Sequence, residues 1–164
     1  MGIIGAGSVS YSPGLALETA KRSPIPNGEG GELDEQEVRT FHGMWQHFTN
    51  VATLRHGPTQ RYNCHGATFA SRRTGIWDDA LIFRILSEDD YKEVPTDDVR
   101  PGDTIVYFND INAPVHSGLV IQRPTQATFY IPLVCSKWGR YGEYVHEGDK
   151  SPYGFNVRYY RVRV

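Results

Sequence analysis

Arg61-Tyr62-Asn63-Cys64-His65-Gly66-Ala67-Thr68-Phe69-Ala70-Ser71-Arg72-Arg73-Thr74-Gly75-Ile76-Trp77 is the stretch from which the rest of the chain can be read. Gly57 and Pro58 stand just upstream, so an irregular segment runs to Asn63 and a helix is expected to begin at Cys64. A thiol at that point lies beside the helix's unpaired N–H groups and the positive end of its dipole. A free thiol titrates near pH ~8.5, whereas helix N-termini and cationic histidines can bring it down to roughly 3.5–7.5. The stretch therefore asks whether the chain also supplies a base.

Upstream of this stretch, Val38, Phe41, Trp45 and Phe48 recur at three- and four-residue steps, joined by Met44, Val51 and Leu54. That spacing predicts an amphipathic helix from Glu35 to about Thr53. The first thirty residues are broken by Pro13, Pro24, Pro26 and the cluster Gly28 to Gly31. They are expected to form an extended or flexible arm, with at most a short helix at Leu15 to Lys21, leaving residues 31–164 as a single domain. Downstream, Asp78 and Asp79 can cap a second helix carrying Ala80, Ile82, Phe83 and Ile85, which stops before Tyr91.

From there the pattern becomes β-rich. Arg100-Pro101-Gly102-Asp103 is a tight turn, and Thr104 to Phe108 a strand of branched and aromatic residues. His116 to Ile121 and Thr128 to Cys135 read as two strands of a hairpin, and Asn156 to Val164 as a last strand. Helices first and antiparallel strands afterwards predict an α+β domain.

The totals narrow the function classes. The 164 residues are 39% hydrophobic, enough for one packed core, and 17 basic against 19 acidic side chains leave a net charge of -2. No basic stripe follows, so nucleic acid is not an expected partner. No apolar run approaches the ~20 residues of a membrane helix. Met1 to Leu17 has no Lys or Arg ahead of its apolar stretch and makes a poor secretory signal, so a soluble protein is expected, cytoplasmic or delivered by other machinery. Two cysteines, Cys64 and Cys135, are too few for a disulfide framework.

A nucleophilic cysteine needs an imidazole in reach and a third group to orient it. Of the six histidines, His116 opens a strand after a loop and is followed by the small residues Ser117 and Gly118, which leaves its ring facing a cleft. His65 adjoins Cys64 and on a helix should point away from the thiol. His42 and His47 lie on the first helix, and His146, near Glu147 and Asp149, reads as a solvated loop residue. Cys135, at the end of an apolar strand, reads as core.

Tyr62-Asn63-Cys64-His65-Gly66 resembles the Tyr-Asp-Cys-Ser-Gly signature of the NlpC-type papain-like cysteine peptidases, relatives of cell-wall endopeptidases and CHAP amidases. Pro101-Gly102-Asp103 and His116-Ser117-Gly118-Leu119-Val120-Ile121 resemble that family's Pro-Gly-Asp turn and His-x-Gly strand, in the same order. The likeness runs from about Arg61 to Ser136. It implies a papain-like fold, Cys64 as nucleophile, His116 as general acid and base, and a polar residue on the next strand to orient it. Ser136 is the neutral polar residue that a hairpin would bring opposite. Asn63 and His65 replace the family's Asp and Ser beside the cysteine and would line the substrate site. Tyr62 or Asn63 would assist the Cys64 N–H in holding an oxyanion, and Trp138 either lines the cleft or packs in the core. The implied activity is hydrolysis of a peptide or isopeptide amide without a cofactor, on a peptide or peptidoglycan-like substrate. A toxin or secreted effector would add an immunity or inhibitor protein as partner. Two other readings of the same residues are an acyltransferase or deamidase acting on a protein, and a non-catalytic metal-binding module built from Cys64, His65, His116, Cys135 and His146.

Overall fold

The computed structural model describes residues 14–126 and 130–163. The predicted mixture of helices and antiparallel sheet is found: the chain is an α+β domain. Its helices are α1 (Glu35–Gln46), α2 (Cys64–Phe69) and α3 (Ala80–Glu88). The strands are β1 (Ala52–His56), β2 (Tyr91–Val94), β3 (Thr104–Phe108), β4 (Pro114–Gln122), β5 (Leu133–Lys137), β6 (Glu143–Glu147) and β7 (Val157–Val162). All seven strands form one antiparallel sheet in the order β1-β6-β5-β4-β3-β7-β2.

The sheet is packed on both faces, which is why the interior strand β3 is buried along its whole length and reads as a run rather than an alternation. On β3, Val106 packs with Ile76, Ile82, Ile85 and Ala70 beneath α2 and α3, while Ile105 and Tyr107 pack with Val99, Val120, Val134 and Tyr159 on the other side. A third cluster joins α1 to the far edge through Phe41, Ala52, Trp138 and Tyr144.

Helix α1 starts at a capping box, in which the Asp34 side chain accepts from the Glu37 N–H (2.8 Å) and the Glu37 carboxylate from the Asp34 N–H (2.9 Å). It ends seven residues earlier than its periodicity suggests, at Gln46 rather than Thr53. Beyond it the chain makes i to i+3 turns, with His47, Phe48 and Val51 bonding back to Met44, Trp45 and Phe48. Residues from Ala52 then pair with β6 as an edge strand. The β-branched Thr53 has a strand partner there in Val145, and Phe48 keeps the apolar spacing because it packs edge-on against Trp138, 4.9 Å between ring centroids.

Three other expectations need correcting. No helix forms at Leu15 to Lys21; Glu18 and Pro24 instead form an isolated antiparallel bridge. The segment around His146 is strand β6, and His146 is buried rather than solvated. The strand expected from Thr128 to Cys135 begins at Leu133 and runs on to Lys137; residues 127–129, like the arm before residue 14 and Val164, lie outside the described residues.

Candidate active site

Asn63 determines where α2 begins. Its Oδ1 accepts from the N–H of Gly66 (2.9 Å) and of Ile76 (3.0 Å), and its Nδ2 donates to the Ile76 carbonyl at 2.5 Å. One side chain thus caps the helix and ties it to the segment leading to α3. Gly66 is required by that segment, because a Cβ there would sit 1.9 Å from the Thr74 carbonyl oxygen. Gly118 on β4 is required by β5, where a Cβ would lie 2.8 Å from both the Cys135 carbonyl oxygen and the Ser136 Cβ. Both glycines of the two sequence motifs therefore answer to backbone packing.

Cys64 is 7% exposed, and His65 and His116 are fully buried. Burial alone pushes the Cys64 thiol up, but the charges of His65 and then His116 outweigh it and hold the group well below the ordinary thiol range. His116 is pushed down by burial, with the Cys64 thiolate opposing that shift. Its ring is stacked on Tyr153, 3.8 Å between centroids and 6° from parallel, and neither ring nitrogen has a hydrogen-bond partner of good geometry. The thiolate acts on His116 as a neighbouring charge rather than through a well-aligned bond.

His65 does not point away from the thiol. It shares the β4-facing stripe of α2 with Thr68, and its Nδ1 lies 2.8 Å from Ser117 Oγ while its Nε2 lies 3.1 Å from Asp79 Oδ1. Burial pushes His65 down, yet the Cys64 thiolate and the Asp79 hydrogen bond raise it to about 9. The angular step between neighbouring helical residues separates their Cβ directions, but here both side chains reach into the space between α2 and β4.

Ser136 is not the group that orients His116. The β4–β5 register pairs Gly118 with Ser136, so His116 lies two residues further along, past Lys137. The Ser136 hydroxyl instead accepts from Trp138 Nε1 (3.1 Å) and meets His146 Nε2 (2.8 Å). β5 begins only at Leu133, and the register shifts by one residue between Val120 and Gln122, so that Ser136 meets Gly118.

The residues expected to line a substrate site are mostly committed to the interior. Trp138 is a core residue, packed on Tyr144 and Phe48. Tyr62 is buried with its hydroxyl 3.3 Å from Glu143 Oε2, and Asn63 spends its amide on the helix cap. Lys137 is fully buried, and its ammonium donates to the carbonyls of Thr59 (2.9 Å), Gly139 (2.5 Å) and Tyr141 (3.2 Å). It thereby pins the approach to Cys64 onto the β5–β6 turn. Cys135 donates to Glu143 Oε1 at 3.3 Å, and burial pushes its thiol up, so the two cysteines differ in kind. Glu143 is itself clamped by Arg72 through two bonds of 2.7 and 2.6 Å. Among the described residues no three His, Cys, Asp or Glu side chains gather as a metal site.

Three participants were missed by the sequence reading: Asp79, Ser117 and Tyr153. Of the pair expected to cap α3, Asp78 Oδ1 takes the Ala80 N–H at 3.0 Å, while Asp79 makes no cap bond. Two consecutive aspartates where one suffices were the available signal. No family model, curated protein or solved structure matches the chain. No helix of the described residues is long and apolar enough to cross a membrane.

Proposed function

We propose that the chain is a cysteine hydrolase of papain-like, NlpC-type architecture that opens a peptide or isopeptide amide through a Cys64 acyl-enzyme. The observation that carries this reading is the buried Cys64 thiol at the start of α2, beside two buried imidazoles whose charges lower it below the ordinary thiol range. In the first step the Cys64 sulfur attacks the carbonyl carbon, a C–S bond forms, and the oxyanion is met by the Cys64 backbone N–H. The C–N bond then breaks as His116, protonated from solvent with the nearby thiolate favouring its cationic form, gives that proton to the leaving nitrogen and becomes neutral. Neutral His116 next takes a proton from water, whose oxygen attacks the thioester; the C–S bond breaks and the acid product leaves. An imidazole in this role is worth on the order of a hundred- to ten-thousand-fold in rate. No cofactor enters these steps.

Transfer of the acyl group to an amine or hydroxyl, or deamidation of a protein, uses the same residues and differs only in what attacks or leaves. A peptidoglycan peptide and an intracellular protein are the two substrate settings, the second suiting a delivered toxin with an immunity partner. Lysis of bacteria only when the chain is exported to the periplasm assigns the first, and toxicity only without export the second. The chemistry is tested with p-nitrophenyl acetate, whose acetyl group should transfer to Cys64 with a burst of p-nitrophenolate. Mass spectrometry is expected to find one acetyl on the peptide containing Cys64, none in Cys64→Ala, and at least a hundredfold slower hydrolytic release of that acetyl in His116→Ala. Acetylation that spares Cys64, or release that proceeds undiminished in His116→Ala, would overturn the assignment.

A further inference from the structure

The hydrogen atoms around His65 can be placed one by one. The Cys64 carbonyl oxygen can only accept, so Thr68 Oγ1, 2.9 Å away, spends its proton there. Thr68 must then accept from Ser117 Oγ at 3.0 Å, which spends the Ser117 proton. Ser117 can therefore only accept from His65 Nδ1 at 2.8 Å. On the other side of the ring, the Asp79 carboxylate can only accept from Nε2 at 3.1 Å. Both ring nitrogens must carry hydrogen, and an imidazole that donates twice is a cation. The ring is fully buried, so no water is needed to complete the arrangement. Asp79 gives up its expected helix-cap bond to take part, a local rule broken at the site.

We propose that His65 is a fixed imidazolium, clamped between Ser117 and Asp79, whose charge holds Cys64 as a thiolate and leaves His116 as the imidazole that moves protons. The proposal rests on reading Cys64 as the nucleophile. It divides between two histidines the work that one would otherwise do. Because both its N–H bonds are committed, His65 is a positioning residue that delivers no proton. His116, with both nitrogens unbonded, is the ring free to gain and lose one. The other titratable groups whose charge reaches Cys64 are His116 from β4, Lys137 from β5 and Tyr153 from the segment before β7.

The test is the pH dependence of iodoacetamide alkylation at Cys64, read by peptide mass with Cys135 as internal reference, in the wild type and in His65→Gln, Asp79→Asn and His116→Ala. Removing an opposite charge at this range should raise the midpoint of the Cys64 profile by about 1–3 pH units in His65→Gln. Asp79→Asn should shift it in the same direction by less, and His116→Ala should move it less than His65→Gln while losing ester turnover. A His65→Gln profile that coincides with the wild type, with His116→Ala carrying the shift instead, would overturn the proposal and leave the hydrolase standing. A wild-type Cys64 inert below pH 8 would sink the hydrolase reading instead. Should His65→Gln fail to fold, nitrogen-15 NMR of wild-type His65 decides. Imidazolium shifts at both ring nitrogens from pH 6 to 8 support the clamp, and a neutral tautomer pattern refutes it.

Discussion

Ser136→Ala separates the interior network from the proposed catalytic one. In the folded protein a chain of donors runs from Trp138 Nε1 to Ser136 Oγ (3.1 Å) and on to His146 Nε2 (2.8 Å). His146 Nδ1 is spent on the Glu147 carbonyl at 2.7 Å, and the network assigns its hydrogen to that nitrogen. Ser136, Trp138 and His146 are no more than 2% exposed, so water does not replace a bond that is lost. Deleting the hydroxyl leaves one buried donor on Trp138 and one buried acceptor on His146 unpaired. Each costs about 1–3 kcal/mol, and the pair about 2–4 kcal/mol once partial relaxation is allowed for. Against a typical domain stability of about 5–15 kcal/mol this is a large loss. Urea unfolding at pH 7 measures it, and the alkylation profile of Cys64 is read in the same variant well below its midpoint. The expected result is a lower unfolding midpoint and an unchanged Cys64 profile. A variant of wild-type stability in which Cys64 loses its reactivity would mean that Ser136 orients His116 after all, and the reasoning from the β4–β5 register would fail.

Two further outcomes follow from the same geometry. Gly66→Ala places a methyl group inside the contact radius of the Thr74 carbonyl, a backbone atom that cannot swing aside, so far-ultraviolet circular dichroism should find the variant unfolded or weakened by at least ~3 kcal/mol; a variant within 1 kcal/mol of wild type contradicts the close approach of the two segments. His146 is held down to about 4 by burial, below its ordinary 6.5, so its contribution is complete above pH 6.5 and is lost as pH falls toward 4. The full difference is about 3 kcal/mol, and NMR of the ring should show no titration between pH 7 and 5; a midpoint near 6.5 would refute its burial as a neutral group.

The α+β class, the extent of β3 and the start of α2 were legible in the sequence, because each rests on local chemistry, whereas β1, β2 and β6 were not read from it. Asn63 is a good helix cap, Pro101-Gly102 a good turn, and Thr104 to Phe108 a branched and aromatic run that a strand accommodates. Cys64 and His116 could be singled out for the same reason, as residues at the start of a helix and of a strand. The end of α1 was not legible, since the apolar spacing through Phe48 and Val51 serves packing on Trp138 as well as it would serve another helical turn. Register was not legible either: two residues of slip along β5 carry Ser136 from His116 to Gly118, and loop length alone does not reveal such a slip.

The charge state of the site belongs to the tertiary structure. Sequence adjacency argued that His65 should turn away from Cys64, and a double aspartate argued for a helix cap. Only the docking of α2 on β4 brings Ser117 to one side of that ring and Asp79 to the other. Local residue chemistry is enough to place a cysteine at a helix start, with six histidines elsewhere in the chain to act on it. Which imidazole is charged depends on donors and acceptors contributed by Thr68, Asp79 and Ser117, residues as much as 49 apart in the chain, because a proton's position is decided by the partners around it and not by the residue that carries it.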